Sequence, residues 1–201
     1  MLRVPYDKTY AYMQDSTGEY INEQVVLFGP YQQETWQIAY NPEKLDAVET
    51  VAVFQYNRIG VEIDTLPDFY LTSAFGGRMR DQVRHYHKVA QAFEAMRNGE
   101  ISAVMGMRSE IDHELAKPEN EGFKSAGNGF PGIGKQVWDV GMAIKHTHRQ
   151  LGYALEAIVD RLVKTGEMNE LMVEQNLRYS VPGYYRAFLD EQAIARAEGE
   201  L

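Results

Sequence analysis

Cysteine is missing altogether from this chain of 201 residues. Its absence excludes disulfides, thiolate-bound structural zinc and cysteine nucleophiles, and it selects no compartment. Long apolar runs are missing too, so no segment reads as a membrane-spanning helix. Residues 1–12 have no apolar signal core. Positive charge is scarce: 20 Lys and Arg stand against 29 Asp and Glu, a net charge of -9. That balance argues against nucleic acid and anionic membranes as partners. There is no repeat, low-complexity tract, P-loop, nucleophile elbow or dinucleotide fingerprint. The glycine-rich run at 127–132 lacks the strand-loop-helix setting of a phosphate loop. Of the five histidines, His85 and His87 are spaced two apart, as are His146 and His148. No carboxylate accompanies either pair at a metal-site interval, so neither a metal nor any other cofactor is expected.

What is present is an α/β pattern. A hydrophobic fraction of 44% supports a real core, in one compact domain or two small lobes. The stretch 82–107 is the most legible. Residues 82–88 have strand character, and Val89, Ala92, Phe93 and Met96 then recur at helical spacing. Asn98-Gly99 supplies the stop. Residues 101–107 are apolar almost without alternation, as in a strand covered on both faces of a parallel sheet. Strand, crossover helix and strand predict a βαβ unit. Any chemistry would lie past its carboxyl end, at Gly106, Met107, Arg108 and Ser109.

Upstream, Val25 to Phe28 read as a strand end, Gly29-Pro30-Tyr31 as a turn, and residues 35–40 as a second strand ended by Asn41-Pro42. Leu45, Val48, Val51 and Ala52 suggest a helix over 45–54, and residues 58–63 a strand. Asp64, Thr65, Pro67 and Asp68 make a helix start: a capping side chain, a proline in the first turn and an acid three residues after Thr65. Leu66, Phe69, Tyr70 and Ala74 would be its inner stripe. A helix over 109–116 opened by Ser109, a loop over 119–134 and a strand over 136–144 follow. Leu151, Ala154, Leu155, Ile158, Val159 and Leu162 mark the inner stripe of a helix stopped by Gly166. A shorter helix over 168–177, a Pro-Gly break and an amphipathic tail complete the chain.

Four stretches, in order, resemble the type II periplasmic solute-binding proteins of the polar amino-acid family. They are Phe28-Gly29-Pro30-Tyr31 with the strand 35–40, RIGVEIDT at 58–65, NGEISAVM at 98–105, and residues 140–177 with TGEMNEL at 165–171. The resemblance implies an α/β fold of two lobes joined by hinge strands at 35–40 and 136–144, closing on a small ligand in the cleft. It implies a complete second lobe at 41–145 and a partial first lobe from 1–40 and 146–201. The opening strand-helix-strand segment of that first lobe would lie upstream of Met1. Unpaired sheet edges there would invite self-association. A periplasmic location, an ABC permease as partner and a non-enzymatic role follow from the same resemblance.

Proteins of this family hold an amino acid with an arginine before the proline-tyrosine corner and an aspartate after the NGEISAVM-like strand. Residues 20–24 contain no arginine, and Met107 stands where the aspartate is expected. Burying a charged ligand without such partners costs several kcal/mol, so ordinary amino-acid binding is not expected. With RIGVE, TLPDFYL and AVMGMRSEID, this departure is similar to a subgroup accompanying quinoprotein dehydrogenases such as methanol dehydrogenase. A periplasmic dehydrogenase is then an alternative partner, and a dehydratase-like enzyme on the same fold a further alternative. Glu62 and Asp64 are the acids that the pattern places near strand ends. The helix start at Asp64-Thr65 favours an anion, although either side chain can simply cap it. Arg108-Ser109 offers a cation and a second helix start, or a solvated arginine. Tyr31 and Trp36 read as aromatic ligand walls or as core packing.

Overall fold

The computed structural model describes residues 2–5, 25–126 and 137–197. The chain divides into two compact units: Met1–Glu34 with Val137–Leu201, and Thr35–Gln136. The observed division, after Glu34 and immediately before Val137, falls earlier than the expected limits at 40/41 and 145/146.

The first division lies inside β2 (Val25–Tyr40), a single 16-residue strand. The turn expected at Gly29-Pro30-Tyr31 is not there. Gly29 serves packing instead of turning, since a Cβ at that position would stand 3.1 Å from Val159. The fixed φ of proline is compatible with extended backbone.

In the second unit, β2 pairs antiparallel with β5 (Ala103–Met107), in a register from Trp36↔Met107 to Tyr40↔Ala103. It also pairs antiparallel with β6 (Lys124–Ala126). β3 (Ile59–Glu62) runs parallel to both β5 and β4 (Val83–Tyr86). The predicted βαβ unit is therefore interrupted in space: β3 lies between β4 and β5, and α2 (Val89–Arg97) crosses it. The apolar run is the buried strand it was expected to be, with Ala103, Val104 and Met105 at 0% exposure. Val89, Ala92, Phe93 and Met96 bury the predicted stripe of α2 against Ala39, Ile101, Val104 and Ile111. Gly60 permits this closeness, because a Cβ there would stand 2.7 Å from Ile101, 3.0 Å from Tyr86 and 3.1 Å from Ala92.

Other expectations need correction. Residues 45–54 hold only turns and the start of a 3-10 turn, Val51–Gln55, which fits the poor helix tendency of their β-branched valines. In α1 (Leu66–Gly77) the buried residues are Pro67, Asp68 and Leu71, whereas Leu66 and Phe69 are 48% and 59% exposed. A hydrophobic pattern counts Asp68 as an outer residue, so its phase is wrong wherever a carboxylate faces inward. α1 also loses helical geometry at Ala74, Phe75 and Gly76. α3 (Arg108–Leu115) starts one residue before Ser109, with Met107 at its N-cap. The expected loop contains β6, and its remainder, 127–134, lies outside the described residues.

In the first unit, β1 (Leu2–Pro5) pairs antiparallel with β7 (Val137–Lys145), from Leu2↔Ala143 to Pro5↔Val140. On its other side β7 neighbours β2. α4 (Arg149–Thr165) ends at Gly166, whose φ of 88° is the left-handed cap the sequence predicts. α5 (Glu167–Glu174) and α6 (Gly183–Ala197) follow. The stripe of α4 is rotated from the expected one: Gly152, Val159 and Val163 are buried, while Leu151 and Ile158 are 54% and 48% exposed. Gly152 is the point of closest approach, since a Cβ there would stand 3.1 Å from Ile144. A residue without a side chain carries no weight in an apolar pattern. Val159, Val163, Met168 and Tyr185 form this unit's cluster, and Tyr31 packs against it.

Tyr179 is half-buried, and burial pushes its phenol up to about 12. Its hydroxyl is shielded and has no hydrogen-bond partner among the described residues.

Two predictions follow from this packing. Gly60→Ala forces the sheet and α2 apart and should cost about 1–3 kcal/mol in urea unfolding; an unchanged midpoint would contradict the packing. For Tyr179 the folded phenol holds its proton above the ordinary tyrosine value of roughly 10, where the unfolded chain releases it. Below about pH 10 the phenol is neutral in both states and has no effect through ionisation, and stability is lost as pH rises towards 12. Tyr179→Phe should reduce that alkaline loss and leave neutral-pH stability unchanged or higher, because it removes a hydroxyl with no partner.

Candidate ligand-binding face

β3, β4 and β5 run parallel, so their carboxyl ends open on one face of the second unit. In open α/β sheets that is where ligands sit. After β3 the chain turns through Asp64, whose φ is 60°. This left-handed conformation is uncommon outside glycine and is best tolerated by Asp and Asn. Two hydrogen bonds hold it. Asp64 N–H donates to Asp68 Oδ2 at 3.0 Å, and Thr65 Oγ1 donates to the Glu62 carbonyl at 2.6 Å. The predicted capping residues are thus engaged differently from expectation. Thr65 is the N-cap of α1, but its side chain makes no cap bond. A hydroxyl has one proton, so in this geometry Thr65 cannot also donate to an anion.

Glu62 Oε2 accepts from Val89 N–H at 3.3 Å, at the start of α2. Asp68 is 7% exposed and accepts a second bond at Oδ1, 2.9 Å from His85 Nε2. A buried carboxylate holding a partly exposed imidazole fixes the ring's orientation. Sequence reasoning weighed His85 only as a metal ligand. No group of three His, Asp or Glu among the described residues could hold a metal.

Trp36 is 5% exposed and meets Tyr70 edge-on, with ring centroids 5.9 Å apart. It is a core residue beneath the face, and desolvation raises the pKa of Tyr70. Met107, opposite Trp36 in the ladder, leads into α3. Arg108 is half-buried and Ser109 is 6% exposed. Behind them, Gln37 Nε2 donates to Asp112 Oδ1 at 2.9 Å. The outer surface is apolar: Ile63, Leu66 and Phe69 are 43%, 48% and 59% exposed. The structure therefore assembles Trp36, Glu62, Asp64, Thr65, Met107, Arg108 and Ser109 around two neighbouring strand ends. Tyr31 belongs to the other unit. Sequence reasoning missed Ile63, Leu66 and Phe69 as surface, and Asp68, His85 and Tyr70 as partners. The acid three residues after Thr65 was the visible signal for Asp68.

This mixed α/β architecture with an open sheet is that of the periplasmic amino-acid-binding proteins. An amino-acid ABC transporter substrate-binding protein from Streptococcus pneumoniae, bound to L-arginine, superposes with a TM-score of 0.62 at 14% identity, over 77% of this chain and 62% of that one. A mutant of ArgBP from T. maritima gives 0.60 at 18% identity, over 82% and 66%. An ancestral cationic amino-acid solute-binding protein gives 0.60 at 15%, over 83% and 67%. The chain thus spans roughly three fifths of the length of the S. pneumoniae protein. No family model and no curated protein matches the sequence.

The Asp68 contacts give a direct test. Asp68→Ala removes the acceptor of both Asp64 N–H and His85, and should cost about 1–3 kcal/mol in thermal or urea unfolding. Asp68→Asn keeps one acceptor and should lose less. Equal stability of all three proteins would show that the turn is held by something else.

Proposed function

We propose that the chain is a non-enzymatic solute-binding protein that holds a small organic acid at the carboxyl ends of β3 and β5. One observation carries the reading: two helices start side by side above adjacent parallel strands, next to an exposed apolar shelf. Neither N-cap side chain, Thr65 or Met107, bonds its helix start. Strands so paired lie about 4.8 Å apart, so the two positive helix ends converge, and Arg108 adds a full charge. Ile63, Leu66 and Phe69 offer apolar contact to the rest of the molecule. Asp64 opposes an anion at the α1 start, which favours a single carboxylate set towards Arg108 and Ser109. With Met107 where the resemblance expects an aspartate, no acid is assigned to an amino group, so a zwitterionic amino acid is a poorer fit.

The binding role is supported by solved structures that share the fold and hold bound arginine or glutamine. In this reading the protein is periplasmic, an ABC permease receives its ligand, and residues 35–40 and 136–144 are the hinge strands. Among the described residues no helix is long and apolar enough to cross a membrane.

A melting-temperature panel of amino acids, aliphatic carboxylates and aromatic carboxylates tests this. A ligand at a hundredfold its Kd stabilises by about 2.7 kcal/mol. Carboxylates with an apolar body should raise Tm more than amino acids do, and Arg108→Ala should abolish the shift. No shift with any acid, or equal shifts in the variant, would reject the site. Co-purification of a dehydrogenase in that case would point to the partner role instead.

A further inference from the structure

The chain passes between its units inside β2, after Glu34, and immediately before β7, ahead of Val137. Close to both crossings, within the first unit, these strands are tied to the segment that opens α6. Gln33 N–H donates to the Ser180 carbonyl at 2.8 Å. Asp139 accepts from Gly183 N–H at 2.9 Å through Oδ1 and from Tyr184 N–H at 3.2 Å through Oδ2. A strand carboxylate therefore caps the first turn of α6, where the free N–H groups and the helix dipole favour negative charge. The Gln33 amide closes the network. Its Nε2 donates to Asp139 Oδ1 at 3.1 Å, and its Oε1 accepts from Arg186 Nη2 at 2.5 Å. Tyr185, 3% exposed, fixes the same turn in the apolar cluster with Val159, Val163 and Met168.

We propose that residues 180–186 form a clamp that holds β2 and β7 at fixed spacing where the chain leaves the first unit. The clamp confines any bending between the units to residues beyond Gln33 and before Asp139. It rests on the hinge reading given above. A ladder between two strands alone can twist and slip at its end. One carboxylate bonded to two backbone N–H groups and to the side chain of the neighbouring strand removes that freedom. Because Asp139 is the shared acceptor, its loss releases Gly183, Tyr184 and the Gln33 Nε2 together, whereas loss of Arg186 leaves Gln33 bonded to Asp139 and Ser180.

The test uses the full chain, whose lack of cysteine allows spin labels at the exposed positions Ala157 and Glu94 as Ala157→Cys and Glu94→Cys. Electron–electron resonance gives the spread of distances between units, and hydrogen exchange reads the Gly183 and Tyr184 amides. Asp139→Ala should speed exchange of those amides by about tenfold and broaden the distance spread roughly twofold, with an unchanged circular dichroism spectrum. Asp139→Asn should lie between, and it carries the test if the alanine variant does not fold. Faster exchange with an unchanged spread overturns the clamp. The pair Thr35→Gly and Val137→Gly separates the two ideas: it should broaden the spread whether or not the clamp exists. A spread that stays narrow in that pair overturns the hinge reading, and the clamp with it.

Discussion

The second unit depends on the pairing of β3 with β5. Both strands are covered on both faces, so their only solvent-facing features are their ends. Gly60 allows α2 to close over the pair, and a methyl group there would meet Ile101, Tyr86 and Ala92 at once. The parallel direction of the pair is what sends α1 and α3 out from the same edge. Everything that gives the face its chemistry follows from that geometry: the left-handed turn at Asp64, the two helix starts, and Arg108 at the second of them. A sheet of antiparallel strands alone would have scattered these features over opposite ends.

The same face shows how a structure uses polar groups that a hydrophobic pattern discards. Asp68 is buried because it serves two donors, Asp64 N–H and His85. Once it points inward, Leu66 and Phe69 must point outward, since a helix has one inner face at each turn. An inward carboxylate and an outward apolar shelf are thus one event. Leu66 and Phe69 therefore stand exposed on the first turn of α1. Asp139 repeats the theme in the first unit, where a strand carboxylate caps the first turn of α6.

Much of this fold was legible in the residues. The apolar run of β5, the stripe of α2 and the left-handed stop at Gly166 each follow from local rules, and the structures that share the fold are of the kind the four-stretch resemblance named. The errors have a common physical origin. The phases of α1 and α4 were misread because Asp68 and Gly152 carry their inward contacts without apolar side chains. β1 and β6 are too short, at 4 and 3 residues, to show alternation. Gly29 and Pro30 read as a turn, although the first is needed for closeness to Val159 and the second for extended backbone. The adjacency of β3 and β5 brings residues 62–65 and 107–109 to neighbouring strand ends, but their hydrogen bonds were not foreseen. The bonds of Thr65 to Glu62 and of Glu62 to α2 depend on side-chain directions that spacing does not specify. The network joining residues 33, 139 and 183 spans most of the chain in polar contacts, which leave no periodic trace.

The central claim, that the ends of β3 and β5 take an apolar carboxylate, is tested most directly by NMR titration of the labelled full chain with phenylacetate. Saturable shifts confined to the amides of residues 63–69 and 107–109, with none in α4 to α6, are what this geometry predicts. Shifts centred on the first unit, or none that saturate for any apolar acid, would contradict it.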